Sequence, residues 1–404
     1  MKKLSLLLFI LPVVLFAKSY LVSDVPLPKT YIQNLDPYPC DEQCLEEYLA
    51  HDMIFSFLSH ATSKLQNQEL ENVRLEQLSI LNIKSKTINN IKVRIALLLP
   101  YKIIKRYAKS TTNSVFAYLL TKNSPFEIKA YKIENQSKAE IQKALQKISD
   151  DGFEYVIAPM TLKGLKNINE INPQINIYFP TINSKNTDIT SPYFTYGAID
   201  YKAQTDVLLQ KAVSPLVILH DKSAIGKNLS LYQSEKFREI ADYAKVIQFS
   251  ISKKQTNLQW QFKKNKRIVK GSFFINTPIV KTGMIMSQIT LYDRNATNIL
   301  STQINYNPLL LSITQYEDRK HMIIANSITN NSDKVVEVNA IFGTDITYTW
   351  INYTTTVGTD YFYSLATNND REYPILIKEN QLQYPIELIK PLRYKFVKIQ
   401  PDID

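Results

Sequence analysis

Both cysteines of the 404-residue chain, Cys40 and Cys44, stand four apart in PYPCDEQC, and His51 and His60 follow within metal-binding reach. In an oxidising compartment thiols this close are expected to pair. The chain-entropy view gives about 2 kcal/mol for so small a ring, enough to pin a helix start and too little to hold a domain. Free thiols and a zinc site are the alternatives. A continuous helix sets the two imidazoles on opposed faces, because nine residues advance it about two and a half turns. The spacing excludes a C-x2-C redox centre.

The other two histidines, His220 and His321, end expected strands, where α/β enzymes often place chemistry. No nucleophile accompanies them. The chain has only eight glycines and none at G-x-G-x-x-G or Walker spacing, and neither H-E-x-x-H nor G-x-S-x-G occurs. A protein that is not an enzyme, with no cofactor and no metal, is the expectation. Thr161, Thr181, Tyr196, Asp221 and Ser223 follow or end expected strands and are candidates to line a cleft. Ordinary helix capping is the other reading.

The strongest charge feature is a run of Lys253, Lys254, Lys263, Lys264, Lys266, Arg267 and Lys270, with Trp260 and Phe262 among them. Cations interleaved with aromatics suit single-stranded nucleic acid, but the chain start argues against that partner. Residues 1–17 read as a secretory signal: Lys2 and Lys3, an apolar run 4–16, then Ala17. Its loss lowers the formal charge from +11 to +9. A basic periplasmic protein is expected to meet envelope proteins, peptidoglycan, lipid headgroups or the outer-membrane surface, and no nucleic acid. The bland alternative is a solvated hairpin edge, where lysines block unwanted strand pairing. The 25 tyrosines suit interfaces, where a ring is covered and its hydroxyl stays wet.

The element that must position these groups is 92–100, KVRIALLLP, an apolar run too short to span a bilayer and rich enough for a strand buried on both faces. Before it, 18–36 reads as an extended arm. A helix follows with Leu45, Leu49, Met53 and Phe57 as its stripe, and 61–91 is helix-prone. After it, strands are expected at 126–133, 155–158 and 175–179, with helices between. Ser137 to Glu140 reads as a capping box and Gly152 as a helix stop. A second set begins at 201, with strands at 216–220, 246–251, 268–275, 299–303 and 322–325. An aromatic helix within 344–366 precedes two paired strands near 374–378 and 385–390, and this tail packs back across both lobes. The expected fold class is α/β: two parallel-sheet lobes, 92–200 and 201–343, a helical N-terminal segment 18–91, and the tail 344–404.

IALLLP at 95–100, VIAPMT at 156–161, PLVILHD at 215–221 and STQINYNPLLLSITQ at 301–315 are similar to core segments of type I periplasmic binding proteins. That resemblance implies two lobes and an interlobe ligand cleft. Where such receptors offer small hydroxyl or glycine residues after the first strand, this chain has the bulky, basic run 101–106, YKIIKR. A degenerate pocket, as in the LpoA-like activators of cell-wall synthases that resemble this fold, is one implication. The stretch 37–61, joined to an LLLP…KRYA lobe, also resembles the FlgQ-type motility proteins of Campylobacterota. That resemblance implies a structural or assembly role in the flagellar motor beside the basal-disk lipoprotein FlgP. A receptor for an amino acid-like solute is the alternative.

Overall fold

The computed structural model describes residues 32–400 except 37, 82, 84–91, 123, 242, 264 and 266. The proposed signal, 1–17, lies outside the described residues. So do Lys264 and Lys266.

Three helices come first: α1 (Glu42–Ala50), α2 (Ile54–His60) and α3 (Gln68–Ile80). Leu45, Phe57, Leu58, Leu70 and Leu78 close on one another as a core of their own. The continuous helix expected through Met53 is broken. Asp52 takes a left-handed φ of 56° and Met53 N–H turns back to the Tyr48 carbonyl, so Phe57 reaches the core from a second helix while Met53 stays exposed. Cys40 and Cys44 are joined in a disulfide, Cα–Cα 5.4 Å, across the start of α1. Asp41 caps the same turn, accepting from Cys44 N–H at 3.0 Å. Inside the module Arg74 grips Glu71 through two bonds of 2.7 and 2.6 Å, and Leu65 N–H donates to the same carboxylate. These bonds, the arginine's first, outweigh burial and hold the Glu71 carboxyl down to about 2.

β1 (Val93–Pro100) then founds the first sheet. Val93, Ile95, Leu97 and Leu99 enter one hydrophobic cluster, while Ala96 and Leu98 enter the cluster on the opposite face. Both faces are covered, which is why the run is continuously apolar. Helix α4 (Tyr101–Ile104) and α5 (Arg106–Leu120) lead to β2 (Phe126–Ile133). Helix α6 (Lys138–Asp150), β3 (Tyr155–Ile157), α7 (Leu162–Ile171), β4 (Asn176–Phe179) and β5 (Phe194–Tyr196) complete the lobe. β5 is short and was not expected from the sequence. At α6 only half of the capping box forms: Ser137 Oγ accepts Glu140 N–H, and the Glu140 carboxylate takes the amides of Glu134 and Asn135.

The second lobe repeats the plan. Helix α8 (Tyr201–Leu209), β6 (Leu216–His220), α9 (Ala224–Ile240), β7 (Val246–Ser250), α10 (Gln259–Phe262), β8 (Ser272–Asn276), α11 (Ile279–Leu291), β9 (Asn298–Ser301), α12 (Leu309–Ile313), α13 (Tyr316–Arg319) and β10 (Met322–Asn326) follow in order. Val217 and Leu219 of β6 face one cluster, Leu216 and Ile218 the other.

The chain then returns to lobe 1. α14 (Asp333–Ile341) and α15 (Trp350–Thr367) pack on α5, so lobe 2 gives up the chain before α14 and not at 343. β11 (Ile377–Lys378) and β12 (Gln381–Leu382) extend the first sheet, while β13 (Glu387–Pro391) and β14 (Phe396–Lys398) extend the second. The two tail strands expected to pair with each other therefore sit in different sheets. Each can satisfy its backbone on an open sheet edge without the other. The final orders are β11-β12-β5-β4-β3-β1-β2 and β14-β13-β10-β9-β8-β6-β7.

Tyr178 on β4 is wholly buried between two glycines: a Cβ at Gly197 or Gly358 would overlap its ring. Gly358→Ala should destabilise the protein by about 1–3 kcal/mol despite alanine's better helix propensity, read as a lower urea midpoint at unchanged slope. Glu71 provides a second test. Its carboxyl is depressed on folding, so its contribution is full above about pH 4.5 and is lost as pH falls toward 2. In wild type, acid should open the three-helix module across that window. Glu71→Gln should start less stable and lose that part of the pH dependence, monitored by Tyr48 and Tyr38 NMR signals.

Candidate functional site

In both sheets strand order reverses at the founding strand, β1 between β2 and β3 and β6 between β7 and β8. Such a switch point opens a crevice at the carboxyl ends of the strands. In lobe 1 that end is filled by its own side chains. The chain leaves β1 straight into α4, with Tyr101 and Ile103 outward and Lys102 paired to Glu134 at 2.5 Å. Thr161 Oγ donates to Gln136 Oε1 at 2.5 Å, and Thr181 Oγ to the Met160 carbonyl at 2.5 Å. Tyr196 does not line a cleft: it is 1% exposed, stacked on Phe179, and its hydroxyl donates to the Ile189 carbonyl.

Lobe 2 treats its strand ends in the same way. Asn276 and Gln233 exchange both amide bonds, at 2.6 and 3.1 Å. Ser301 Oγ donates to the Ile275 carbonyl and accepts from Asn305. Gln303 Nε2 donates to Asn326, its backbone N–H donates to Gln204, and its side-chain Oε1 accepts Ser327 N–H. Asp221 accepts from Ser223 N–H and hydroxyl, and Ser223 Oγ caps α9 by accepting from Gly226 N–H. Asp221 and Ser223 thus serve the start of α9. His220 Nδ1 lies 2.7 Å from the Asp221 carbonyl.

One open space, of ≈ 470 Å³, lies past the end of β10 against Asn326, Thr329 and Glu387, and another lies on the flank of the junction. A cavity of ≈ 460 Å³ runs between the lobe 1 turn 183–186, the crossover into α8, and the outer face of α9. Ile199, Ile225 and Leu229 form its apolar wall. Lys185 pairs with Asp200 at 2.6 Å across it, and Asp200 also caps α8 through Ala203 N–H. On the α9 side Lys202 lies over the Tyr232 ring at 5.3 Å, while the Tyr232 hydroxyl donates to Asp206. Burial, then that carboxylate, pushes the Tyr232 phenol upward. Burial alone accounts for most of the rise of Tyr201 to about 12, so both phenols stay protonated donors.

The cavity residues Lys185, Asp200, Lys202, Tyr232 and Glu235 were not among those singled out from the sequence. Tyr232 and Glu235 are three apart on α9 and read as a solvated face; only the approach of turn 183–186 makes them a wall. Asp200 had a visible signal, as the residue that caps the first helix of the second lobe.

The basic run is no hairpin. β7 and β8 both pair with β6 in parallel, so 251–271 is a crossover. Lys253, Lys254, Lys263, Arg267 and Lys270 are exposed on it, as is Trp260, while Phe262 is buried against Phe273. His51 and His60 do not meet at the disulfide. His60 stacks on Tyr48, 5.6 Å away, beside Asn34 and Asp36. No group of three or more potential metal-ligating side chains occurs among the described residues. No described helix is long and apolar enough to cross a membrane.

No family model matches the chain, and no curated protein does. Solved structures match in fold. A putative branched-chain amino acid ABC transporter protein from Rhodospirillum rubrum superposes with a TM-score of 0.57 at 8% identity, over 76% of this chain and 100% of that one. A solute-binding protein of an ABC transporter from Rhodopseudomonas palustris BisB5, in complex with 3,4-dihydroxybenzoic acid, gives 0.56 at 12%, over 76% and 96%. The leucine-binding protein LivK of Thermotoga maritima gives 0.51 at 14%, over 76% and 98%. The chain has the two-lobe fold of type I periplasmic binding proteins.

The strand-end pairing has a measurable consequence. Gln233→Leu should cost about 1–3 kcal/mol, because it leaves the buried Asn276 amide without its partner. Adding Asn276→Leu should recover most of that loss, as read by urea unfolding of the two variants.

Proposed function

We propose that this is a non-catalytic, exported binding protein whose flank cavity takes a small solute of amino-acid type. The observation that carries the reading is the cavity of ≈ 460 Å³ contributed by both lobes, with an apolar wall at Ile199, Ile225 and Leu229 and charges of both signs around it. Its size is that of small-molecule sites, roughly 300–1,000 Å³. A zwitterion with an apolar side chain meets Lys185 or Lys202 with its carboxylate and Asp200 or Glu235 with its ammonium. Binding across two lobes also draws them together, the device by which two-lobed receptors register a ligand. Structural neighbours that are solute-binding proteins support this reading, as does the apparent signal at residues 1–17.

A second reading is an assembly protein of the envelope: a periplasmic component of the flagellar basal disk beside the lipoprotein FlgP, or an LpoA-like regulator of cell-wall synthases. The internal pairing of the strand-end amides favours it, since Gln233, Asn276, Gln303 and Asn326 spend side-chain bonds on one another and on the backbone at the central crevice. Pulldown of the mature protein from envelope extract, together with the motility of a deletion strain, tests that role.

For the solute reading, thermal unfolding should be followed against a panel of L-amino acids and aromatic acids. A true ligand at a hundred times its dissociation constant stabilises by about 2.7 kcal/mol. Ile225, 54% exposed at the cavity, can be enlarged without touching the core, so Ile225→Trp should abolish the shift while leaving the unliganded midpoint in place. Absence of any shift across the panel would sink the solute reading.

A further inference from the structure

Across the second sheet the chain passes from β7 to β8 through 251–271, where the described residues form one helix, the four-residue α10. Ile251, Leu258, Phe262 and Ile268 turn inward and take the place of a helix, packing with Val217, Leu219 and Phe273. The residues between them are left outward. α11 holds the backbone of this cover in place. Lys281 Nζ donates to the carbonyls of Lys253 and Gln255, at 3.2 and 2.5 Å. Gln288 donates to the Thr256 carbonyl and accepts Leu258 N–H. Arg294, just beyond the helix, takes Lys270 N–H on its carbonyl.

What this platform presents is one-signed. Between 252 and 270 the sequence holds six lysines and one arginine and no Asp or Glu. Some lysines elsewhere on the surface find carboxylates, as Lys138 finds Glu170, Lys236 Glu239 and Lys320 Glu317. Lys253, Lys254, Lys263, Arg267 and Lys270 make no ion pair among the described residues. In their midst Trp260 is 71% exposed, although Phe262 two residues on is fully buried. Water is a poor surrounding for an indole; the headgroup region of a bilayer, with an apolar side and a wet side, is a good one.

We propose that the 251–271 crossover is a peripheral docking surface for an anionic phospholipid bilayer, with Trp260 entering the headgroup layer. Three features select this occupant. Lysine outnumbers arginine six to one, which suits diffuse attraction to a fluid array of phosphates; a fixed acidic protein site favours the bidentate fork of arginine. The segment has no carboxylate to accept from sugar hydroxyls, as a glycan strand would require. The outward indole adds an apolar contact that a purely ionic partner would not use. The surface lies on the opposite sheet face from α8 and α9, so it stands or falls apart from the solute cavity.

The test uses the mature chain with vesicles of phosphatidylcholine alone or with added phosphatidylglycerol. The protein has two tryptophans, Trp260 and Trp350, and Trp350 packs on Tyr353 and Tyr384, so a Trp350→Phe background makes Trp260 the reporter. Co-sedimentation that requires phosphatidylglycerol, falls in high salt and comes with a blue shift of Trp260 is expected. Each exposed lysine replaced by glutamine should lower the partition about fivefold, and Trp260→Ala should lower it at unchanged salt dependence. Circular dichroism of the variants checks that these outward changes leave the fold intact. Failure to bind anionic vesicles, binding unchanged in the triple variant Lys253→Gln, Lys254→Gln, Lys263→Gln, or capture by purified peptidoglycan in place of vesicles would each overturn the proposal.

Discussion

One tyrosine ring ties together the strand, crossover, return helix and tail that close the first lobe. Tyr178 rises from β4 into the gap left by Gly197, at the exit from lobe 1, and Gly358, halfway along α15. Its hydroxyl reaches the Thr354 carbonyl at 2.8 Å and lies 3.3 Å from the hydroxyl of Tyr384 on the tail. Thr354 in turn donates to the Gly197 carbonyl at 2.6 Å. Strand, crossover, return helix and tail thus converge on one buried phenol. Burial drives that phenol above its ordinary value, so it stays a hydrogen-bond donor. A few residues along, buried Asp360 accepts from Tyr118 and from the amides of Glu372 and Tyr373. A carboxylate with no solvent contact is tolerable only when its lone pairs are used in this way.

Because α15 is clasped to lobe 1, the tail can serve both sheets. β12 extends the first and β13 the second, and each blunts an edge otherwise open to another chain. The same economy governs the carboxyl ends of the strands. Polar residues stand where a receptor would present ligand contacts, yet they bond one another: Asn276 with Gln233, Gln303 with Gln204, Asn326 and Ser327. Buried amides are costly unless paired. At the junction's flank, charges from both lobes line a cavity with an apolar wall.

The bulk of lobe architecture was legible along the chain. The alternation of Val93, Ile95, Leu97 and Leu99 with Ala96 and Leu98 already implied a strand covered on both faces, and 126–133 and 216–220 were bounded correctly. Illegible were the short β5, the break at Asp52 in the first helix, and the partners of the tail strands. Each depends on neighbours distant in sequence. Among the candidate cleft residues, Thr161, Thr181, Asp221 and Ser223 do stand at strand ends, but Thr161 bonds Gln136, Thr181 bonds Met160 and Asp221 bonds Ser223, whereas Tyr196 is interior. A strand's last residue points to one face or the other by pleat parity, and three-residue strands offer too little pattern to read that parity.

Residue order by itself determined the α/β class, the founding strand and the charge of the 253–270 run, and made the pairing of two near cysteines the expectation, because periodicity, proximity and composition are local properties. Tertiary structure alone decided that Lys185 and Asp200 share a cavity wall with Tyr232 and Glu235, that a basic stretch is a crossover with an outward indole, and that two glycines 161 positions apart frame one tyrosine. The reason is geometric: which side chains meet across a hinge is set by how two sheets are woven together, and no window along the chain contains both halves of that weave.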